Sequence, residues 1–179
     1  MDNIPKEADG CVSYGTATPS CKALIQVYMI THRKAMPFDG VKVLIVGIHE
    51  SLSDDQALIE VKAGKTKNGR KYVLSIVKTK QESHGVRYFL QMDVEYEGAA
   101  LSVKGHFIES GMTGYRDTMV WELARREGIV SSTDNSKWCF DPYDKTLKRP
   151  YLMNLSEKEE YDEMFPDHPL SQCRKFIQI

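Results

Sequence analysis

The chain has 179 residues, 41% hydrophobic and 27% charged, with 24 Lys and Arg against 25 Asp and Glu. It is too apolar for a disordered chain, and its length suits one domain, residues 1–179, with a core of useful size. The net charge of −1 excludes global attraction to nucleic acid or an anionic membrane, and no apolar run reaches the ~20 residues that span a bilayer.

In chain order, the N-terminal MDNIPKEADGCVSYG has neither the basic nor the apolar region of a signal peptide, so the expected location is cytoplasmic. Residues 1–22, rich in Gly, Pro, Ser and Thr, predict a loosely tied lead-in. Residues 24–32, LIQVYMITH, are β-branched and apolar and predict a strand. Asp39 is placed to cap a helix over 40–52, in which Val41, Leu44, Ile45, Ile48 and Leu52 share one face. Asn68-Gly69 predicts a type I′ hairpin with arms 57–66 and 70–79. Residues 86–96, VRYFLQMDVEY, give the clearest signal. Val86, Tyr88, Leu90, Met92, Val94 and Tyr96 alternate with a row containing Arg87, Gln91, Asp93 and Glu95, the pattern of a strand with one buried face. That polar row reads as a solvated surface, or one half covered by the C-terminal residues.

Glu97-Gly98 turns the chain into a strand over 100–109. Thr113 is then placed to cap a helix through about residue 127, with Tyr115, Met119, Val120 and Leu123 as its apolar stripe and Gly128 at its C-cap. Residues 128–179 form an extension beyond a core of 23–127. Within it, Ser156-x-x-Glu159 has the form of a capping box for a short helix ending near Phe165. A last helix over 170–177 turns Leu170, Cys173 and Ile177 inward. The four cysteines, 11, 21, 139 and 173, lack metal-finger spacing and are expected as reduced thiols. No metal or cofactor is implied.

The order strand, helix, hairpin, hairpin, helix over about residues 23–127 resembles the fold family of the PsbP proteins of photosystem II, a nuclear-transport Ran-binding factor and the bacterial DcrB-like lipoproteins. The resemblance implies an antiparallel sheet between helices and a role in binding other macromolecules. It carries over no functional residue, and it covers neither a lipoprotein cysteine signal nor the extension from Trp138 onward.

The candidate sites are sparse. His106 is expected to face solvent, and His49 to edge the core. Cys139 or Cys173 with His168 is the conceivable nucleophile and base pair, without a Gly-rich oxyanion segment beside it. Asp93 and Glu95 share a strand face but read more simply as polar surface. Thr113 and Arg116, at a helix N-terminus, form a candidate anion-binding spot, against the plainer and favoured reading in which Thr113 caps the helix and Arg116 and Asp117 pair with neighbours. Trp138, Phe140 and Tyr143 supply aromatics that stack on a ligand or anchor the extension. The acidic run 157–163 reads as a solvated helix face able to dock a basic partner.

The reading is therefore an α+β protein: a twisted antiparallel sheet of five or six strands between helices, αβα-sandwich-like and PsbP-like, with a C-terminal helical extension. Its expected role is that of a non-catalytic accessory protein binding another protein, as a monomer or weak homodimer. The candidate binding residues are Thr113, Arg116, Trp138 and Tyr143, with none catalytic and none binding metal. The alternative is a small-ligand binder or hydrolase with its site between the extension and the sheet. Self-association through an edge strand at 24–32 is a third possibility.

Overall fold

The structure is a computed structural model and describes residues 10–82 and 84–178. Alternating residues build six antiparallel strands among the described residues: β1 Val12–Ala17, β2 Cys21–Thr31, β3 Gln56–Lys65, β4 Lys71–Lys80, β5 Val86–Tyr96 and β6 Ala99–Glu109. They form one sheet in the order β1-β2-β6-β5-β4-β3. Three α-helices join them, α1 Val41–Ser51, α2 Tyr115–Arg126 and α3 Pro169–Phe176, with 3-10 turns at Leu155–Glu157 and Glu159–Tyr161. The fold is α+β.

The inward row of each strand makes the main core. Ile25, Leu74, Ile76, Tyr88, Leu90, Met92, Val103 and Phe107 point to one face, where Leu152, Met153, Leu170 and Cys173 of the extension cover them. The extension is therefore part of the core. A bulge in β3 between Leu58 and Glu60 changes the register, so that Glu60 lies opposite Ile76 and shares its side. That turn brings Glu60 beneath α3, where Arg174 Nε donates to it at 2.9 Å.

Several expectations are corrected. The loose lead-in over 1–22 instead contains β1, paired along its length with β2, while residues 1–9 lie outside the described residues. Residues 24–32 are thus an interior strand, because β1 covers one side and β6 the other, and self-association through them has no free edge. Asp39 does not cap α1. The cap position is Gly40 at φ +114°, and the Asp39 carboxylate instead holds Lys71 Nζ at 2.7 Å.

The hairpin after β3 is not the two-residue type I′ turn. Gly69 N donates to Thr66 O and Thr66 N to Arg70 O, so the turn is centred on Lys67-Asn68 and followed by Gly69 at φ +77°. This is a three-residue connection with glycine in the left-handed position. Further along, Thr113 caps nothing, because Gly114 at φ +70° occupies the cap position. Of the expected stripe α2 buries Val120, together with Arg116 and Ala124, while Tyr115 and Met119 stay exposed. Its inner face packs on the extension. Val120 and Ala124 join Val130, Trp138, Leu155 and Phe165 in a second core, and the Trp121 and Trp138 rings meet edge-on at 5.0 Å. The capping box at Ser156 is replaced by Asn154, whose side chain accepts from Ser156 N and starts a 3-10 turn. Gly128, at φ +70°, does close α2, with Ile129 N returning to Ala124 O.

The second sheet face carries the polar row of β5. It is not simply solvated. Asp93 is fully buried, accepting from Ser102 Oγ at 2.8 Å and Met36 N at 2.7 Å. α1 packs over the β3 side of this face and leaves a groove beside it.

Candidate functional site

The inward rows do not end in apolar residues. In β4, Tyr72, Leu74 and Ile76 are followed at the same period by Lys78. In β6, Val103, Gly105 and Phe107 are followed by Glu109. Strand alternation alone sends both charges under the extension. Lys78 is 1% exposed and pairs with Glu157, itself 4% exposed. Tyr88 Oη donates to the same carboxylate at 3.0 Å. Burial alone drives the Lys78 pKa down, but Glu157, Asp117 and Glu109 outweigh it, and the net effect is a raised value. The ammonium is therefore retained.

Two arginines extend this ionic network. Arg116, 1% exposed, donates to Ser156 O at 2.7 Å, to Lys158 O at 3.0 Å and to Asp162 at 2.9 Å. Arg174 bonds Glu60, Asp162 and Glu157 O. Glu157 and Asp162 belong to the run expected to form a solvated acidic face. They point inward, because the 3-10 turns present them to buried cations.

Beside this network lies a cavity of about 590 Å³, between the end of the sheet, the start of α2 and the extension. The sheet contributes Val86 and Glu109, the start of α2 contributes Thr113 and Asp117, and the extension contributes Tyr151, Leu152 and His168. Asp54, Asp55, Lys80, Gly85 and Gly114 also line it. Among the described residues its charged lining is thus four carboxylates against one ammonium.

Glu109 accepts from Gly114 N at 2.8 Å and Val86 N at 3.1 Å. Burial raises its pKa, and those two amides lower it without cancelling the rise. Gly85 lies against it: a side chain there would put its Cβ 2.8 Å from the Glu109 carboxylate, so glycine lets the carboxylate reach the backbone. Asp117 accepts from Ser156 Oγ and Asn154 Nδ2.

His168 borders both this cavity and a smaller one of about 180 Å³, with Glu109 on the shared wall. It is 8% exposed, and its Nδ1 accepts from Leu170 N at 3.3 Å, capping α3. That bond places the remaining proton on Nε2. Burial, followed by the positive fields of Arg116, Lys78 and Arg174, pushes the ring's pKa down to about 2. The imidazole is neutral across the physiological range and offers a neutral N–H donor.

The four residues singled out by sequence are not brought together. Thr113 does line the cavity. Arg116 is consumed by internal partners, so it is no free anion receptor. Trp138 is in the second core. Tyr143 covers the edge of β3, its hydroxyl accepting from Val61 N at 2.5 Å.

The cysteine and histidine pairing also fails. Cys139 Sγ lies 3.8 Å from Leu147 O, and Cys173 is fully buried, its thiol pKa raised by burial. Among the described residues all four cysteines are free and no group of metal-ligating side chains is formed. Asp117 does pair with its neighbours Ser156 and Asn154, as the plainer sequence reading has it, but Glu109, Lys78 and Glu157 were missed as site residues. The signal available was the place of Lys78 and Glu109 at the end of inward rows and of Glu157 within an extension rich in charge.

No protein-family model and no curated protein matches the chain. Among solved structures it is similar to a protein of unknown function from Pseudomonas aeruginosa, with 16% identity and a TM-score of 0.42, covering 70% of this chain and 85% of that one.

Proposed function

We propose that the chain is a non-catalytic accessory protein that holds a segment of another protein in the cavity between its extension and the end of its sheet. The observation that carries the reading is the lining: carboxylates at Asp54, Asp55, Glu109 and Asp117, apolar walls at Val86, Leu152 and Tyr151, and the neutral donor of His168. Such a surface suits an apolar peptide carrying a Lys or Arg side chain. The volume, about 590 Å³, falls within the range of sites that enclose a drug-sized molecule or a few side chains. Among the described lining residues no nucleophile is hydrogen-bonded to a base, which favours binding over turnover. Membership of the PsbP/DcrB-like fold family and a reducing, cytoplasmic setting belong to the same proposal. The element order and the four free cysteines support it.

The test is isothermal titration with two peptides of one apolar sequence, differing only in a central Arg or Glu. The Arg peptide is expected to bind, more weakly in high salt and more weakly to Asp55→Asn and Glu109→Gln. Equal binding of both peptides, or of neither, overturns the proposal.

A further inference from the structure

The opposite face of the sheet holds a second concavity with the reverse charge. Between α1 and strands β4, β5 and β6 lies a groove of about 360 Å³. Ile48 of α1 and Leu52 just after it form one wall, and Phe89 lies beneath, its ring 5.0 Å from that of His106. Arg87 enters from β5, in register with Thr79 on one side and Ile108 on the other.

Its guanidinium is the unusual feature. Arg87 Nε is buried and has no hydrogen-bond partner, and the guanidinium meets no carboxylate within 4 Å among the described residues. Arg87 as a whole is half-buried, whereas the buried arginines among the described residues are saturated: Arg116 and Arg174 each bind several acceptors. Of the two acids on the same strand face, Asp93 stands six residues away, about 20 Å along the strand, and Glu95 lies two residues farther. Asp93 is already bonded to Ser102 and Met36. Lys104, opposite Gln91, adds positive charge. Burial, Arg87 and Lys104 all lower the His106 pKa, so that ring is neutral and presents a hydrogen-bonding edge. A buried guanidinium nitrogen without an acceptor is costly, and a planar or tetrahedral oxyanion satisfies it through paired N–H donors.

We propose that this groove binds a small organic anion, a carboxylate or phosphate monoester with an apolar body, its oxyanion on Arg87 and its body against Phe89 and Leu52. This site is independent of the cavity beneath the extension.

The test is a titration of the ¹⁵N-labelled full chain with benzoate, phenyl phosphate and neutral benzamide, read from amide shifts. At least one anion is expected to shift Thr79, Phe89, Gln91 and His106, while benzamide does not. Benzoate alone assigns a carboxylate, phenyl phosphate alone a phosphate monoester, and both assign the shared oxyanion chemistry. Arg87→Gln, with spectral dispersion intact, is expected to weaken binding about tenfold or more, and Arg87→Lys less. No shift with either anion up to about 20 mM, equal binding of benzamide, or undiminished binding by Arg87→Gln overturns the proposal. So do shifts confined to Val86 and Gly114, which report the other cavity.

Discussion

The burial of a neutral His168 makes stability depend on pH in a calculable way. The ring's pKa is 6.5 when free and about 2 in the fold. A depressed value means that the unfolded chain takes up the proton first, so stability is full above pH 6.5 and falls as pH drops below it. At pH 5 the unfolded state is favoured by about 1.5 pH units' worth of proton binding, about 2 kcal/mol relative to pH 7. The figure needs only that the folded pKa lie below 5. His168→Asn is the control, because its amide oxygen keeps an acceptor for Leu170 N at the cap of α3 but does not titrate. Urea unfolding followed by fluorescence of Trp121 and Trp138 reads both proteins at pH 7, 6 and 5. Other groups titrate in both, so the difference between them isolates the histidine. The wild-type chain is expected to lose about 2 kcal/mol more than the variant on going to pH 5. Parallel losses in the two proteins refute a buried neutral ring.

Other substitutions separate internal partners from exposed ones. Lys78→Met leaves Glu157 charged and unpaired in the interior and is expected to cost about 3–5 kcal/mol by urea midpoint, whereas Lys78→Met with Glu157→Gln recovers most of the loss. Thr113→Ala is expected to change stability by less than about 0.5 kcal/mol, since the hydroxyl caps no helix. Asn154→Ala, which removes the acceptor of Ser156 N and a donor to Asp117, is expected to cost about 1–2 kcal/mol by the same measurement. In brief iodoacetamide labelling at pH 8, read by mass spectrometry, Cys11 and Cys139 are expected to react before Cys21 and Cys173. Burial raises the thiols of the last two, Cys21 to about 11.

The sheet was legible because alternation is a local property. β5 announced its inward row, and the arms of both hairpins were placed to within a residue or two. Where glycine competed with a polar cap, the local signal misled. Asp39 and Thr113 each precede a glycine, and the left-handed glycine takes the cap position in both helices. The site was less legible for a different reason. Lys78 and Glu157 are 79 residues apart, and Arg174 and Glu60 are 114 apart. Charge in the run 157–163 looks like solvated surface until the cations opposite it are known. β1 was hidden because a short edge strand needs little apolar content.

The buried charges bear on why the cavity has a defined shape. Buried ion pairs return little net stability, because desolvation offsets most of their attraction. The apolar contacts of Leu152, Met153, Leu170 and Cys173 supply the adhesion between extension and sheet. Apolar contact alone tolerates sliding, and a slide of one residue would strand Glu157 or Asp162 without a cation. Lys78 with Glu157, Arg116 with Asp162 and Arg174 with Glu60 therefore act as three registration points. They tie the extension to different elements, β4, α2 and β3, so together they fix its position and orientation. His168 and Leu152 are held opposite Glu109 and Val86 as a result, and the cavity exists before anything enters it. A preformed site loses less freedom on binding than one that must assemble.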